Sequence, residues 1–237
     1  MKLHTHEWGT GDRLALLVHG IMSDHRTWRR VGPALAERGY RVIAVDLRGH
    51  GASPRGDGAE PGEKYGARLF AQDLVDTLPT GAELAIGHSL GGLTLLGAVD
   101  RLRPARAVYS DPAWQFAKAE GVDPRLFVEF KNGTREQITA MNPRWEEADI
   151  DVELATLAAW DSDTALGLWA NAEDSGLPAA PAVPSLVQLA DRSFLVDDTD
   201  AGLLRDRGFE VRTVAGAGHT VHRDDFDGFM ASLEGWI

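Results

Sequence analysis

Gly87-His88-Ser89-Leu90-Gly91, with Gly92 directly after it, decides the reading of this chain. It fits G-x-S-x-G, the tight strand-to-helix turn that holds a serine hydroxyl out in front of a sheet. The flanks carry more weight than the pentapeptide, which recurs by chance. Leu84-Ala85-Ile86 reads as a buried strand, and residues 93–99 read as a helix packed on a sheet.

Upstream, Leu14-Ala15-Leu16-Leu17-Val18 is a continuous apolar run, as expected for a strand buried on both faces. It ends in His19-Gly20-Ile21-Met22. Ser23 or Asp24 then caps a helix expected to reach about Arg38, with Trp28, Val31 and Leu35 on one face and Gly39 as its stop. A second strand, residues 41–46, runs into Leu47-Arg48-Gly49-His50-Gly51-Ala52-Ser53-Pro54, a loop dense in turn residues. Residues 56–62 are expected to form a mobile loop, and residues 65–78 a helix. Beyond the central turn, its helix runs to about Leu102. Another strand, residues 105–109, ends at Ser110-Asp111-Pro112.

From Ala113 to about Ala180 the pattern changes to helices alone, with breaks at Asp123-Pro124, Asn132-Gly133, Asn142-Pro143 and Asp149. Pro178, Pro181 and Pro184 mark the exit. Strand and helix then alternate again: strand 185–189, helix 198–207, strand 209–214, the loop Gly216-Ala217-Gly218-His219, and a closing helix 226–236. Alternation of this kind predicts an α/β fold, a mostly parallel, doubly wound sheet with helices on both faces. Residues 1–112 and 182–237 form the core, and residues 113–181 form an inserted helical lid too small to hold a core of its own.

Composition narrows the function classes. A chain of 237 residues with 43% hydrophobic residues can bury a substantial core. A formal net charge of -12 repels phosphate backbones and anionic lipid heads, so neither nucleic acid nor a membrane surface is an expected partner. No cysteine is present, which removes disulfides, thiolate metal sites and a cysteine nucleophile. The first residues, Met1-Lys2-Leu3-His4-Thr5-His6-Glu7, have no apolar signal region, so the cytoplasm is the expected compartment.

A serine needs a base, a group that orients the base, and donors for the oxyanion. The base is expected to be His219, because loops after parallel strands collect at one sheet edge and would bring it to Ser89. The plainer reading of His219 alone is a loop histidine bonded to backbone. His222 is read as its solvated neighbour. The oxyanion donors would be the N–H groups of Leu90, at a helix start, and of Ile21, after His19-Gly20.

With these four segments in this order (His19-Gly20, residues 46–53, residues 87–92 and residues 216–219), the chain resembles the α/β-hydrolase superfamily over nearly all of its length outside the lid. The resemblance implies Ser89 as nucleophile, His219 as base, and Ile21 and Leu90 as oxyanion donors. The acid departs from the common pattern. Many relatives carry it after the strand that follows the lid, where this chain reads Leu189-Ala190-Asp191-Arg192-Ser193 and puts Ser193 at the expected place. A serine cannot balance an imidazolium. Asp111, at the end of the strand before the lid, is therefore preferred, with Asp191 as the alternative.

Other candidates are weaker. His4 and His6 show the spacing of a strand face but no third ligand nearby in the sequence, so they are read as a solvated edge and no metal is expected. Residues 146–149 and 197–200 are read as solvated acidic faces or helix starts. The glycines near Ser89 lack the Gly-Lys-Ser/Thr of a phosphate loop. Of the lid tryptophans, Trp114 is the one expected to line a substrate pocket. The expected activity is cofactor-independent hydrolysis of a small, mainly apolar carboxylic ester or lactone. Within the superfamily, the serine argues against dehalogenase and epoxide hydrolase chemistry, which use aspartate at that place. Acyl transfer, carbon–carbon hydrolysis and a non-catalytic receptor on the same fold remain the alternatives.

Overall fold

A computed structural model describes residues 1–116 and 123–237. Seven strands, β1 (Thr5–Trp8), β2 (Arg13–Val18), β3 (Tyr40–Val45), β4 (Leu84–His88), β5 (Arg106–Ser110), β6 (Ser185–Ala190) and β7 (Glu210–Val214), form one sheet. Their spatial order is β1-β3-β2-β4-β5-β6-β7. Only β1 runs antiparallel, pairing Thr5 with Val45 at the edge. The other five pairings are parallel.

The apolar runs bury both faces because alternate side chains point to opposite sides. On β2, Leu16 and Val18 enter one core cluster with Phe70, Leu74 and Leu95. Ala15 and Leu17 enter the other, with Trp28, Leu35 and Phe229. The first cluster is covered by α3 (Ala67–Thr77), α4 (Leu90–Leu102) and α9 (Asp198–Asp206); the second by α1 (Val31–Ala36) and α11 (Phe226–Ser232). Leu16 and Leu17 are both fully buried. Truncating either to alanine costs about 2–5 kcal/mol, so the sheet carries much of the stability.

Between β5 and β6 the described residues form only helices: α5 (Arg125–Phe130), α6 (Arg135–Met141), α7 (Glu147–Ala159), α8 (Asp163–Ala170) and a short 3-10 turn. This segment has a small cluster of its own, Ile138, Ile150, Leu157, Trp160 and Ala165, against which Ile21 and Met22 of the core pack. Polar ties fix it from beneath. Arg29 Nε donates to Asp149 at 2.9 Å, and the Tyr65 hydroxyl donates to Asp161 at 2.7 Å.

Several local expectations are corrected. The helix expected from Ser23 or Asp24 to Arg38 is two pieces. Asp24 caps a single 3-10 turn, His25–Trp28, and α1 follows separately, because the chain must bend to lay Trp28 into the core. Residues 56–62 are not loop throughout: Pro61 opens α2 (Pro61–Lys64), held by a capping box between Glu60 and Glu63. Asp149 does not break a helix. It lies within α7, buried, on the Arg29 guanidinium. Asp200 is also buried, and it accepts from Gln115, while Asp197 caps α9 as a helix start. The closing helix ends at Ser232, four residues early. No helix among the described residues is long and apolar enough to cross a membrane.

Candidate active site

The strand β4 delivers Ser89 into a backbone conformation that side chains rarely adopt, φ 53° and ψ -118°. Such strain persists only where the surroundings over-determine it. Here the Ser89 N–H donates to the Ser110 carbonyl at 3.0 Å, and the Ser89 carbonyl accepts from Gly92 and Ala113. The turn is thereby fastened to the end of β5. Gly91 is required by close approach, since a Cβ there would strike the Val18 carbonyl. Gly20 is required from the other side: a Cβ would lie 2.9 Å from His88 Nδ1 and 3.1 Å from Ser89 Cβ.

The end of β5 also carries Asp111, fully buried and at φ 42°. Its Oδ2 lies 2.6 Å from Nδ1 of His219, and its Oδ1 accepts the Ala190 N–H at 3.2 Å. Burial pushes this carboxyl up; the hydrogen bond and charge of His219, the Ser193 hydroxyl and the Ala190 N–H outweigh it and hold it below the usual carboxylate range. The Ser193 hydroxyl donates to the Asp111 carboxylate, while its Oγ accepts the Leu195 and Val196 N–H groups. Asp191 is exposed, and its backbone N–H donates to Ala217.

Three further histidines frame the site, and sequence reading gave them no such role. His19 is fully buried; its Nδ1 contacts the Gly20 carbonyl at 2.6 Å, and its Nε2 accepts the Leu47 N–H at 2.9 Å. Those two bonds fix the tautomer and aim the turn that carries Ile21. His88, pushed down to about 3 by burial and then by the charge of His219, is neutral and donates from Nε2 to the His219 carbonyl at 2.9 Å. His222 is not a solvated neighbour. It is 2% exposed, stacks on Trp28 and bonds Thr27 Oγ1 at 2.8 Å. It lies in the short helix α10 (Val221–Asp224), where Val221, His222 and Arg223 are all buried. Of these rings only His219, with 28% of its side chain exposed, touches a carboxylate.

Ser89, His219, Ile21 and Leu90 all line one cavity of about 230 Å³. Its remaining wall is mostly apolar, with Leu93 from α4 and Phe116, Phe127, Leu168 and Trp169 from the segment between β5 and β6. Phe194 stands at its mouth, 72% exposed, its ring 5.1 Å from that of His219. Trp114 does not line it. That side chain is fully buried, donates to the Gly92 carbonyl and packs edge-on against Tyr109. The pocket aromatics are instead Phe116, Phe127, Trp145, Trp169 and Phe194. Their helical or loop positions leave no periodic trace that separates them from core residues.

Comparison with known proteins agrees with this architecture. The family model described as "Alpha/beta hydrolase family" matches residues 15–231. The bifunctional epoxide hydrolase 2 of Sus scrofa is 36% identical over 97 residues, which is 39% of this chain and 17% of that protein. The chain therefore spans under a fifth of that relative's length. Among solved structures, an esterase from Exiguobacterium antarcticum superposes with a TM-score of 0.73 at 18% identity, covering 99% of this chain and 94% of that one. A thermophilic esterase from Thermogutta terrifontis gives 0.72 at 22% identity, covering 99% and 92%. With a seven-stranded sheet, a strained serine turn and a family match over most of its length, the chain belongs to the alpha/beta hydrolase family.

Proposed function

We propose that this protein is a cofactor-independent serine hydrolase acting on a small, mainly apolar carboxylic ester or lactone. One observation carries the reading: a histidine bonded to a buried carboxylate at 2.6 Å shares an apolar cavity with a serine held in a strained turn. Asp111 holds His219 in the tautomer with its proton on Nδ1, leaving Nε2 as the base. His219 takes the Ser89 proton as Oγ attacks the carbonyl carbon. The N–H groups of Ile21 and Leu90 hold the oxygen that becomes negative. His219 then gives the proton to the departing alcohol, and a water activated the same way releases the acid. The helices of residues 113–181 act as the lid, supplying the apolar wall that selects the acyl group. A cavity of about 230 Å³ suits a short acyl chain or a small ring.

The serine also sets this chain apart from its epoxide hydrolase relative, since that chemistry uses an aspartate nucleophile where Ser89 stands. A serine-directed phosphonate with intact-mass readout tests the reading, together with hydrolysis of esters of graded chain length and lactones of graded ring size. One label per chain at Ser89 is expected, with activity lost by about 10⁴-fold or more in Ser89→Ala. A chain that takes no label and cleaves nothing is a receptor on this fold. Undiminished activity in Ser89→Ala overturns the mechanism.

A further inference from the structure

A second buried carboxylate, Asp46, sits apart from the cavity and is unused by the proposed reaction. It directly follows β3, is fully buried, and its backbone N–H donates to the His4 carbonyl. Its Oδ1 accepts the His25 backbone N–H at 2.8 Å and lies 2.8 Å from His25 Nδ1. Its Oδ2 accepts the Ala52 N–H at 3.0 Å and lies 2.8 Å from His4 Nδ1. The ligand atoms of His4, His25 and Asp46 lie within 4.8 Å of one another. His6 stacks on the His25 ring with centroids 4.9 Å apart and planes at 15°.

We propose that His4, His25 and Asp46 form a binding site for a divalent transition-metal ion. Two imidazole nitrogens and a carboxylate oxygen, with no thiolate, are a donor set for zinc, nickel or cobalt. Metal–nitrogen and metal–oxygen bonds of about 2.0–2.2 Å put neighbouring tetrahedral ligand atoms roughly 3.3 Å apart. The nitrogen–oxygen contacts of 2.8 Å therefore open slightly, and the ligand atoms, spread over up to 4.8 Å, draw together by a turn of the exposed His4 ring. On entry the ion replaces the two imidazole–carboxylate hydrogen bonds. The backbone N–H groups of His25 and Ala52 stay on the carboxylate, as the outer partners that orient a ligating group. The stacked His6 holds the His25 plane. His4 is 38% exposed at its side chain, which leaves an entry path and an open coordination position for water. The net charge of -12 favours a cation. The bound ion clips the N-terminal edge of the sheet to the turn that follows the Ile21 loop.

The test uses the full chain without a polyhistidine tag, stripped with a chelator and dialysed. It is titrated with zinc chloride, and separately with nickel chloride, in a calorimeter. One equivalent per chain is expected. The melting temperature should rise by about 5 °C at a hundredfold excess over Kd. His4→Gln and His25→Gln, checked for folding by circular dichroism, should each weaken binding by more than about 100-fold. Absence of stoichiometric binding to the parent chain overturns the proposal. So does one-equivalent binding that survives when His4→Gln and His25→Gln are combined in one chain. Neither outcome depends on whether Ser89 is a working nucleophile.

Discussion

Asp46 and Asp111 invite comparison. Each is fully buried at the carboxyl end of a strand, and each meets imidazole Nδ1 and a backbone N–H. What lies beyond the ring differs. Past His219 is an apolar cavity with a strained serine. Past His4 and His25 there is a third imidazole and the protein's edge. Similar donors therefore fit the proposed proton-transfer device in one place and the proposed cation site in the other. The deciding feature is the neighbourhood of the free imidazole edge, not the carboxylate.

Substitution of each carboxylate separates the two devices. Asp111→Asn should cut kcat by about 10⁴-fold, because an amide favours the wrong histidine tautomer. Asp191→Asn should leave kcat within about threefold, as surface changes seldom exceed about 0.5 kcal/mol. Ester hydrolysis by the purified variants measures both, and the reverse ranking would sink the assignment of Asp111.

Asp46→Asn should act on stability, lowering it by about 1–3 kcal/mol in chelator-treated buffer, because an amide cannot accept all four contacts. Urea denaturation reads that loss; an unchanged midpoint would mean the contacts at Asp46 contribute nothing net.

Acid titration sharpens the contrast at Asp111. Its folded value is held below the ordinary 3.8, so its contribution is present above that value and fades as pH falls through the lower one. Asp111→Asn should therefore lose less stability than the parent chain as pH falls below about 4, measured by denaturation at each pH. An acid limb of unchanged slope would contradict the shift.

Smaller effects test the supports. Gly20→Ala should reduce kcat by about tenfold, since the added Cβ presses on His88 and Ser89 and displaces the nucleophile. Ser193→Ala should reduce it by only about fivefold, removing one hydrogen bond to Asp111 of about 1 kcal/mol. A loss at Ser193 as large as that at Asp111 would give the serine a role of its own.

Much of the fold was legible because its signals are local. Apolar runs such as residues 14–18 announce strands buried on both faces, and all six expected core strands lie within a residue or two of their predicted places. The strand–glycine–serine–glycine–helix order announces the turn at Ser89, since only glycine tolerates the approach of Val18 at Gly91. His222 and Trp114 were misread for the opposite reason. Burial is a property of the packed whole, and one helical turn at residues 221–224 or one contact with Gly92 reverses it without changing the local pattern.

The sequence by itself determined the alternation of strand and helix, the serine turn and the histidine loop, because each is written in residues adjacent along the chain. Only the tertiary structure decided which carboxylate meets which histidine. Asp111 and His219 lie 108 positions apart, and Asp46 gathers His25 from 21 positions away and His4 from 42. Those distances close only when parallel strands bring their carboxyl ends to one edge and β1 folds back along β3. Hydrogen bonds act over about 3 Å of space and leave no period in the chain.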